Sequence, residues 1–522
     1  MHRDMRCNAF CTMRWMVLFF SFGSLWAGDP PSVRIELTRE EFRPVAQDWK
    51  ISGMGLTEDG HVIVPGKQAL LQLLNSLDVP YSFIEEISGH EIEDLSHAED
   101  TQIPSSYFDP DSFETWVTDL VNSHSAIARL IQIGSSVQSR PIWAVKISAN
   151  CDVEEFEPEL RVISNIHGDE KASLMVCTDV MEWILTQYGS NSVATDLVDG
   201  TEMWFVPMVN PDGNAYDANP GNPGLEGRRT NMHGVDLNRN FDGPQGNDPF
   251  SGGAYPFSEP ETQAIKALSD SYDNVFLLGL SLHSGAACFN SVWNSSTTAE
   301  LPDLANFFSS RTGGSPCGNS SGHCAVPAPD SLAEAYFNGC TYSGFWYVCG
   351  ADWYITFGDT NDWSYYFEST LDTTIEITQT KTPPAHLIPD YTQRHRNGVL
   401  NYLYSAFQGI HGLVTDQIDG TPLEAEITVT EFPKPVRTGT TLGDYHRYCV
   451  PGRYAIRVEA EGYHDRNIGG VAVLKEQRTR VDVQMIPDTY SFVDIASCWP
   501  NEGPFDSNEN GRVDVLDLIK FQ

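Results

Sequence analysis

Apolar residues recur along this chain with two periods, and the switches between them divide it. The spacing Phe113, Trp116, Leu120, Val121 predicts an amphipathic helix that begins near Asp109. IGSSVQSRPIWAVKIS, from Ile133, reads as two strands joined in a hairpin. Helical patterns such as Leu174 to Tyr188 then alternate with apolar strands at Met203 to Met208 and Val275 to Leu282, which predicts an α/β domain with a mixed sheet. Past Gln408 the segments GIHGLVTD, GTPLEAEITVTE, GDYHRYCVPGRYAIRVEAEGY and TRVDVQM are short strands with Gly and Pro between them, the pattern of a β-sandwich of about 80 residues. Toward the N-terminus, VRIEL, GHVIVPG, the helix-like KQALLQLLNSL and VPYSFIEEIS suggest a small α+β segment. The expected fold class is therefore α/β with a C-terminal β-sandwich and a small N-terminal segment. The expected divisions are 1–27, 28–103, 104–408, 409–487 and 488–522.

With 522 residues the chain exceeds one ordinary domain, and 41% hydrophobic content supports a large core. A formal net charge of −39 argues against nucleic acid or an anionic membrane surface as a partner. It suits a soluble protein, read here as a monomer, in a salty or calcium-containing medium. Arg3, Arg6 and Arg14 precede the apolar run Trp15 to Phe20 and a small-residue end at Ser24 to Ala27. That order reads as a secretory signal, and the run is too short to span a bilayer comfortably. The chain is thus expected outside the cell, without membrane insertion. Cys7 and Cys11 belong to the signal. Cys317, Cys324, Cys340 and Cys349 crowd a Gly/Ser-rich insertion where bridges would pin long loops in an oxidising compartment, whereas Cys177 sits in an apolar helical run as an inert buried thiol.

Candidate chemistry centres on RVISNIHGDE, Arg161 to Glu170. Its strand-like run delivers His167 and Glu170 onto the following turn, where an imidazole and a carboxylate can meet at one metal ion. A second HxxE, His90 and Glu93, lies in an acidic stretch without such a strand. His283 in FLLGLSLHSG ends another buried-looking strand, and Tyr354 and Glu376 follow, the latter in DTTIEIT. Three ligands leave the fourth position of a catalytic zinc open to water.

The ordered set HxxE, NPDG, GVDLNRNF, PxSEPET, LHSG, YxxxxxxNDW and IEIT resembles the zinc metallocarboxypeptidases, most closely their regulatory branch, in which a small transthyretin-like β-sandwich follows the catalytic domain. The likeness runs from about Tyr107 to Met485, and GDYHRYCVPGRY is the telling stretch of the sandwich, whose role is expected to be structural. The resemblance implies a zinc ion on His167, Glu170 and His283, with Glu376 as general base and Asp236 orienting the first histidine. It implies capture of a peptide or protein C-terminus by Asn238 and Arg239, with Ser284 and the mobile Tyr354 beside it. The arginine facing the oxyanion is Arg228 or Arg229, with Arg228 slightly favoured. Members that remove Lys or Arg have an Asp eleven residues after the third ligand and a Gln just before the DW pair. Here those places hold Asn294 and Asn361, so the pocket reads as polar and its substrate stays open, with Asp359 or the insertion as other sources of charge.

Residues 28–103 resemble a carboxypeptidase prodomain, either removable or a lasting accessory unit. In DSNENGRVDVLD, Asp506, Asn508, Asn510, the Arg512 carbonyl, Asp514 and Asp517 fall at positions 1, 3, 5, 7, 9 and 12 of a Ca²⁺ loop, with Gly511 at the sharp turn. This resembles half of a dockerin, which implies a cohesin-like scaffold as partner. Two alternatives stand beside the carboxypeptidase: a zinc amidase acting on peptidoglycan peptides or acyl-amino acids, and a non-catalytic binding module.

Overall fold

A computed structural model describes residues 106–217, 227–270, 276–295, 327–429 and 432–488, together with the backbone of four strands nearer the N-terminus. Those four are β1 (Val33–Thr38), β2 (Gly55–Leu56), β3 (His61–Val64) and β4 (Tyr81–Phe83), paired antiparallel in the order β2-β3-β1-β4. The leader at 1–27, the KQALLQLLNSL helix pattern, the His90 and Glu93 pair, Cys317, Cys324 and the calcium repeat at 506–517 lie outside the described residues.

The central sheet has eight strands: β5 (Ala128–Ser135), β6 (Pro141–Ile147), β7 (Glu159–Ser164), β8 (Glu202–Val206), β9 (Phe276–His283), β10 (Cys288–Ser291), β11 (Trp346–Cys349) and β12 (Leu371–Glu376). Their order is β11-β10-β12-β9-β7-β8-β6-β5. β5 and β6 form the expected antiparallel hairpin, whereas β8, β7, β9 and β12 run parallel. β7 and β9 are buried along their whole length, because both faces of the sheet are covered. Val162 and Phe205 turn into one apolar cluster with the helices Lys171–Gln187 and Ile388–Tyr404, while their neighbours Ile163 and Trp204 enter a second with the helix Pro260–Asp270 and Trp363.

The predicted first helix is Pro110–Ser123, with Phe113, Val117, Leu120 and Val121 buried. Asp109 accepts from Ser112 N at 2.8 Å while Ser112 Oγ accepts from Asp109 N at 3.0 Å, a reciprocal cap that fixes where the helix starts. Deep under the site, Arg161 on β7 lies between Trp363 and Phe276 and donates to Asp372 Oδ2 at 3.0 Å on β12. It ties strands two apart in the sheet.

Residues 409–488 form two packed sheets, one of the strands Gly409–Asp416, Asp444–Arg447, Tyr463–His464, Arg478–Arg480 and Val483–Pro487, the other of Glu426–Val429, Phe432–Arg437, Gly452–Glu459 and Arg466–Val473. Along Gly452–Glu459, Tyr454, Ile456 and Val458 are buried and their neighbours exposed, the alternation of a strand with one face inward. The sandwich docks on the catalytic unit through Phe156 stacked on His411, with centroids 5.0 Å apart, and through Tyr448, whose hydroxyl donates to Ser331 Oγ at 2.8 Å.

Candidate metal centre and substrate cleft

Three adjacent parallel strands, β7, β9 and β12, place their carboxyl ends on one edge of the sheet, the usual location of sites in such sheets. His283 ends β9, and Glu376 sits opposite it at the end of β12. The turn after β7 carries His167 and Glu170. Its Asn165, at a φ of 50°, donates through Nδ2 to the His167 carbonyl at 3.0 Å and accepts from Asn214 Nδ2 at 2.8 Å. Gly168 lets this turn lie against the short helix Pro211–Ala215, since a Cβ there would stand 2.0 Å from the Gly213 carbonyl carbon.

His167, Glu170 and His283 converge, with one ligand atom from each within 4.8 Å of the others, and all three are buried. His167 Nδ1 lies 2.9 Å from Glu170 Oε1, and His283 Nδ1 lies 2.8 Å from Glu170 Oε2. Asp236 Oδ1, 2.9 Å from His167 Nε2, can only accept, so the proton sits on Nε2 and Nδ1 is free to coordinate. Two imidazole nitrogens and one carboxylate suit zinc. Burial would raise the Glu170 carboxyl, but His167, Lys381 and His283 hold it well below the usual carboxylate range. Burial likewise opposes the Asp236 charge, which Arg229 and His167 keep well below its ordinary pKa. Glu376 goes the other way: burial, then the charge of Glu170, pushes it up to about 7, and its Oε2 is buried with no partner among the described residues. A carboxylate of that kind is available to a water or a substrate.

The two candidate arginines separate. Arg229 donates to Asp236 Oδ2 at 2.8 Å and brings Nη1 within 3.2 Å of His167 Nδ1. Arg228, the favoured one in the sequence, turns away: Nε and Nη2 donate to Thr230 Oγ1 and the guanidinium covers the Tyr216 ring. The Asp236 carboxylate pairs with the second arginine and holds it inward. Asn238 offers Nδ2 3.3 Å from His283 Nε2, and Arg239 is anchored by Nη1 donating to the Asn238 carbonyl at 2.6 Å. Asn238, Arg239, Tyr354, Asn294 and Glu376 all line the cleft over the ligands. Burial raises the Tyr354 hydroxyl above its ordinary pKa.

Two expected substrate residues are not in that lining. Ser284 is buried, its amide donating to Glu170 Oε2 at 3.2 Å and its hydroxyl to the Lys381 carbonyl at 2.9 Å, so it supports a ligand instead of facing the cleft. Asn361 is fully buried, with Nδ2 donating to the Asn290 carbonyl and Oδ1 accepting from Thr374 Oγ1. Of the four cysteines of the insertion, Cys340 carries a free thiol among the described residues, 3.5 Å from His395 Nδ1. The Cys349 side chain is outside the described residues. Cys177 is free and buried, its thiol pushed up to about 12 by burial, as an inert core cysteine would be. One contributor escaped the sequence reading. Lys381 Nζ sits 2.8 Å from Asp169 Oδ2 and 3.4 Å from Glu170 Oε1, and its signal was a lone cation in the turn just past Glu376.

A mixed sheet whose strand ends bring two histidines and a glutamate under an open cleft defines a metallohydrolase. Residues 113–398 match the zinc carboxypeptidase family and residues 409–486 the carboxypeptidase regulatory-like domain. The chain belongs to the zinc carboxypeptidase family. It is 32% identical to human carboxypeptidase D over 359 residues, which cover 67% of this chain and 25% of that protein. Carboxypeptidase SOL1 of Arabidopsis thaliana is 28% identical over 404 residues, covering 75% of this chain and 74% of the relative. Among solved structures, carboxypeptidase A from Helicoverpa armigera aligns with a TM-score of 0.53 at 16% identity over 72% of this chain and 97% of its own, and thrombin activatable fibrinolysis inhibitor with 0.51 at 18% identity over 72% and 98%. At such identities these two speak for the fold alone. No described helix is long and apolar enough to cross a membrane.

Proposed function

We propose that this chain is an exported zinc carboxypeptidase that removes single residues from the C-termini of peptides and proteins. The observation that carries this function is the β9/β12 register, which sets Glu376 with its unpaired Oε2 beside the His167, Glu170 and His283 cluster. His167, Glu170 and His283 would hold a zinc ion, which would supply the Lewis acidity that acidifies a water and polarises a carbonyl. Glu376, near neutrality by burial, takes a proton from the attacking water and returns it to the leaving amine. Arg229, turned toward the cluster, donates to the oxyanion as it develops. Arg239 presents a planar fork to the substrate's terminal carboxylate, with Asn238 and Tyr354 beside it.

Mass spectrometry of a mixed peptide library tests this. Zinc-loaded protein should shorten peptides one C-terminal residue at a time, and Glu376→Gln should stop the ladder while retaining zinc. Cleavage of acyl-amino acids or muropeptides with plain peptides untouched would instead favour the amidase. Export rests on residues 1–27, and calcium binding with scaffold docking on residues 506–517. Fractionation of culture medium and calcium titration of the full chain against Asp506→Ala check these two.

A further inference from the structure

The contact that seats the sandwich on the catalytic unit is built from titratable groups that the chemistry above does not use. His411 and His446 stand opposite each other on the paired strands Gly409–Asp416 and Asp444–Arg447, with ring centroids 5.9 Å apart. From the catalytic unit, Phe156 stacks on His411 and comes within 5.4 Å of His446, and Arg480 Cζ covers the same phenyl ring at 4.7 Å. Glu157 and Glu159, close to Phe156 in the chain, are buried. This joint lies at the start of β7, the opposite end from the turn that carries His167.

The joint suits neutral imidazoles and resists charged ones. Asp444 Oδ2, 3.1 Å from His446 Nε2, can only accept, so the proton of the neutral ring sits on Nε2. A second proton would go to Nδ1, which is buried with no partner among the described residues, as is His411 Nδ1. Charge on His411 would also face His446, Arg478 and Arg480, with Asp482 as the attracting group. Burial, then these neighbours, lowers His411 to about 4. Burial lowers His446 as well, against the pull of Asp444 and with the push of Arg478. The catalytic face offers no counter-ion in weak acid: burial raises Glu157 to about 7 and Glu159 well above the usual carboxylate range, the Asp444 charge adding to the latter.

We propose that this joint is a proton-operated latch: the sandwich sits firmly on the catalytic unit while His411 and His446 are neutral and loosens when acid charges them. Undocking gives both rings water and their ordinary pKa, so docking is at full strength above pH 6.5 and weakens as pH falls toward 4. Glu157 and Glu159 act in the opposite sense and weaken docking as pH rises through 7, which leaves it tightest near pH 6.5. Hydrogen exchange of the full zinc-loaded chain, read by mass spectrometry and corrected for the intrinsic rate at each pH, tests this. Between pH 6.5 and 5, peptides covering 150–158, 409–416 and 444–448 should lose protection by roughly 10- to 30-fold, while 276–283 in β9 keeps its own. The pair of substitutions His411→Gln and His446→Gln should flatten this step, and Glu157→Gln should leave it in place. Wild-type protection that is level across this range overturns the latch, and so does a loss shared by β9, which is global unfolding; neither reading needs a variant. A step that survives in the double histidine variant, or that disappears in Glu157→Gln, also overturns it.

Discussion

Gly168→Ala probes the joint on which the site is built. A Cβ at this position would stand 2.0 Å from Gly213 C, 2.3 Å from Asn214 N and 2.5 Å from Gly213 Cα. Carbon atoms rest at about 3.5 to 4.0 Å, so the two backbones must part by more than about 1 Å. Neither is free to move. Gly213 N donates to Asn210 Oδ1 at 2.8 Å and its carbonyl accepts from Arg228 N at 2.8 Å, while the other side of the contact is the turn between two ligands. Overpacking of this kind costs about 1 to 3 kcal/mol, offset by about 0.4 to 1 kcal/mol from the stiffer unfolded chain. The mid-range values, about 2 less about 0.7, leave a net loss of about 1.3 kcal/mol, or a Tm lower by about 3 to 5 °C. Because His167 and Glu170 flank the strained bond, the larger effect should fall on the ligands: zinc affinity about 10-fold weaker or worse, and activity about 100-fold lower for a misplacement near 1 Å. Competition against a chromogenic chelator and melting of zinc-loaded and stripped protein measure both. A variant matching wild type in zinc affinity and Tm would refute the close approach of the HxxE turn to residues 213–214.

Two further outcomes follow from the same geometry. Arg229→Ala should lower kcat about 10²- to 10³-fold at full zinc occupancy, as loss of an oxyanion donor does, whereas Arg228→Ala, which among the described residues removes contacts to Thr230 and Tyr216, should stay within a few-fold; equal losses would contradict this division. His395 is fully buried and burial lowers its pKa from 6.5 to about 3. A depressed base contributes stability that is complete above pH 6.5 and lost as pH falls toward 3, so between pH 6.5 and 5 stripped wild type should lose about 2 kcal/mol more than stripped His395→Gln in urea unfolding. Glu157 and Glu368, both raised to about 7 by burial, act in the opposite sense, with stability lost as pH rises from 4.5 through 7, but they are common to both proteins and leave the difference intact. Parallel pH profiles for the two would remove His395 from the account.

The sequence by itself determined the elements and singled out His167, Glu170 and His283, the three side chains that the fold gathers. The apolar run FLLGLSL that ends at His283, and the shorter one before His167, are local signals, because a strand covered on both faces is mostly apolar and polar residues reappear where it leaves the core. The hairpin of β5 and β6, the first helix and the switch to a sandwich past Gln408 were legible for the same reason. Only the tertiary structure decided which way neighbouring polar residues face. Arg228 and Arg229 lie in an irregular stretch with no period to assign a side, and the choice fell to Asp236, seven residues further along. Ser284 and Asn361 resembled cleft residues by position, yet buried backbone groups took their hydrogen bonds. Asp359 is fixed in the cleft floor by the amide of Asn294, 65 positions away. Strand formation depends on residues close in the chain, whereas the direction and charge of a site residue depend on partners that the fold alone brings near.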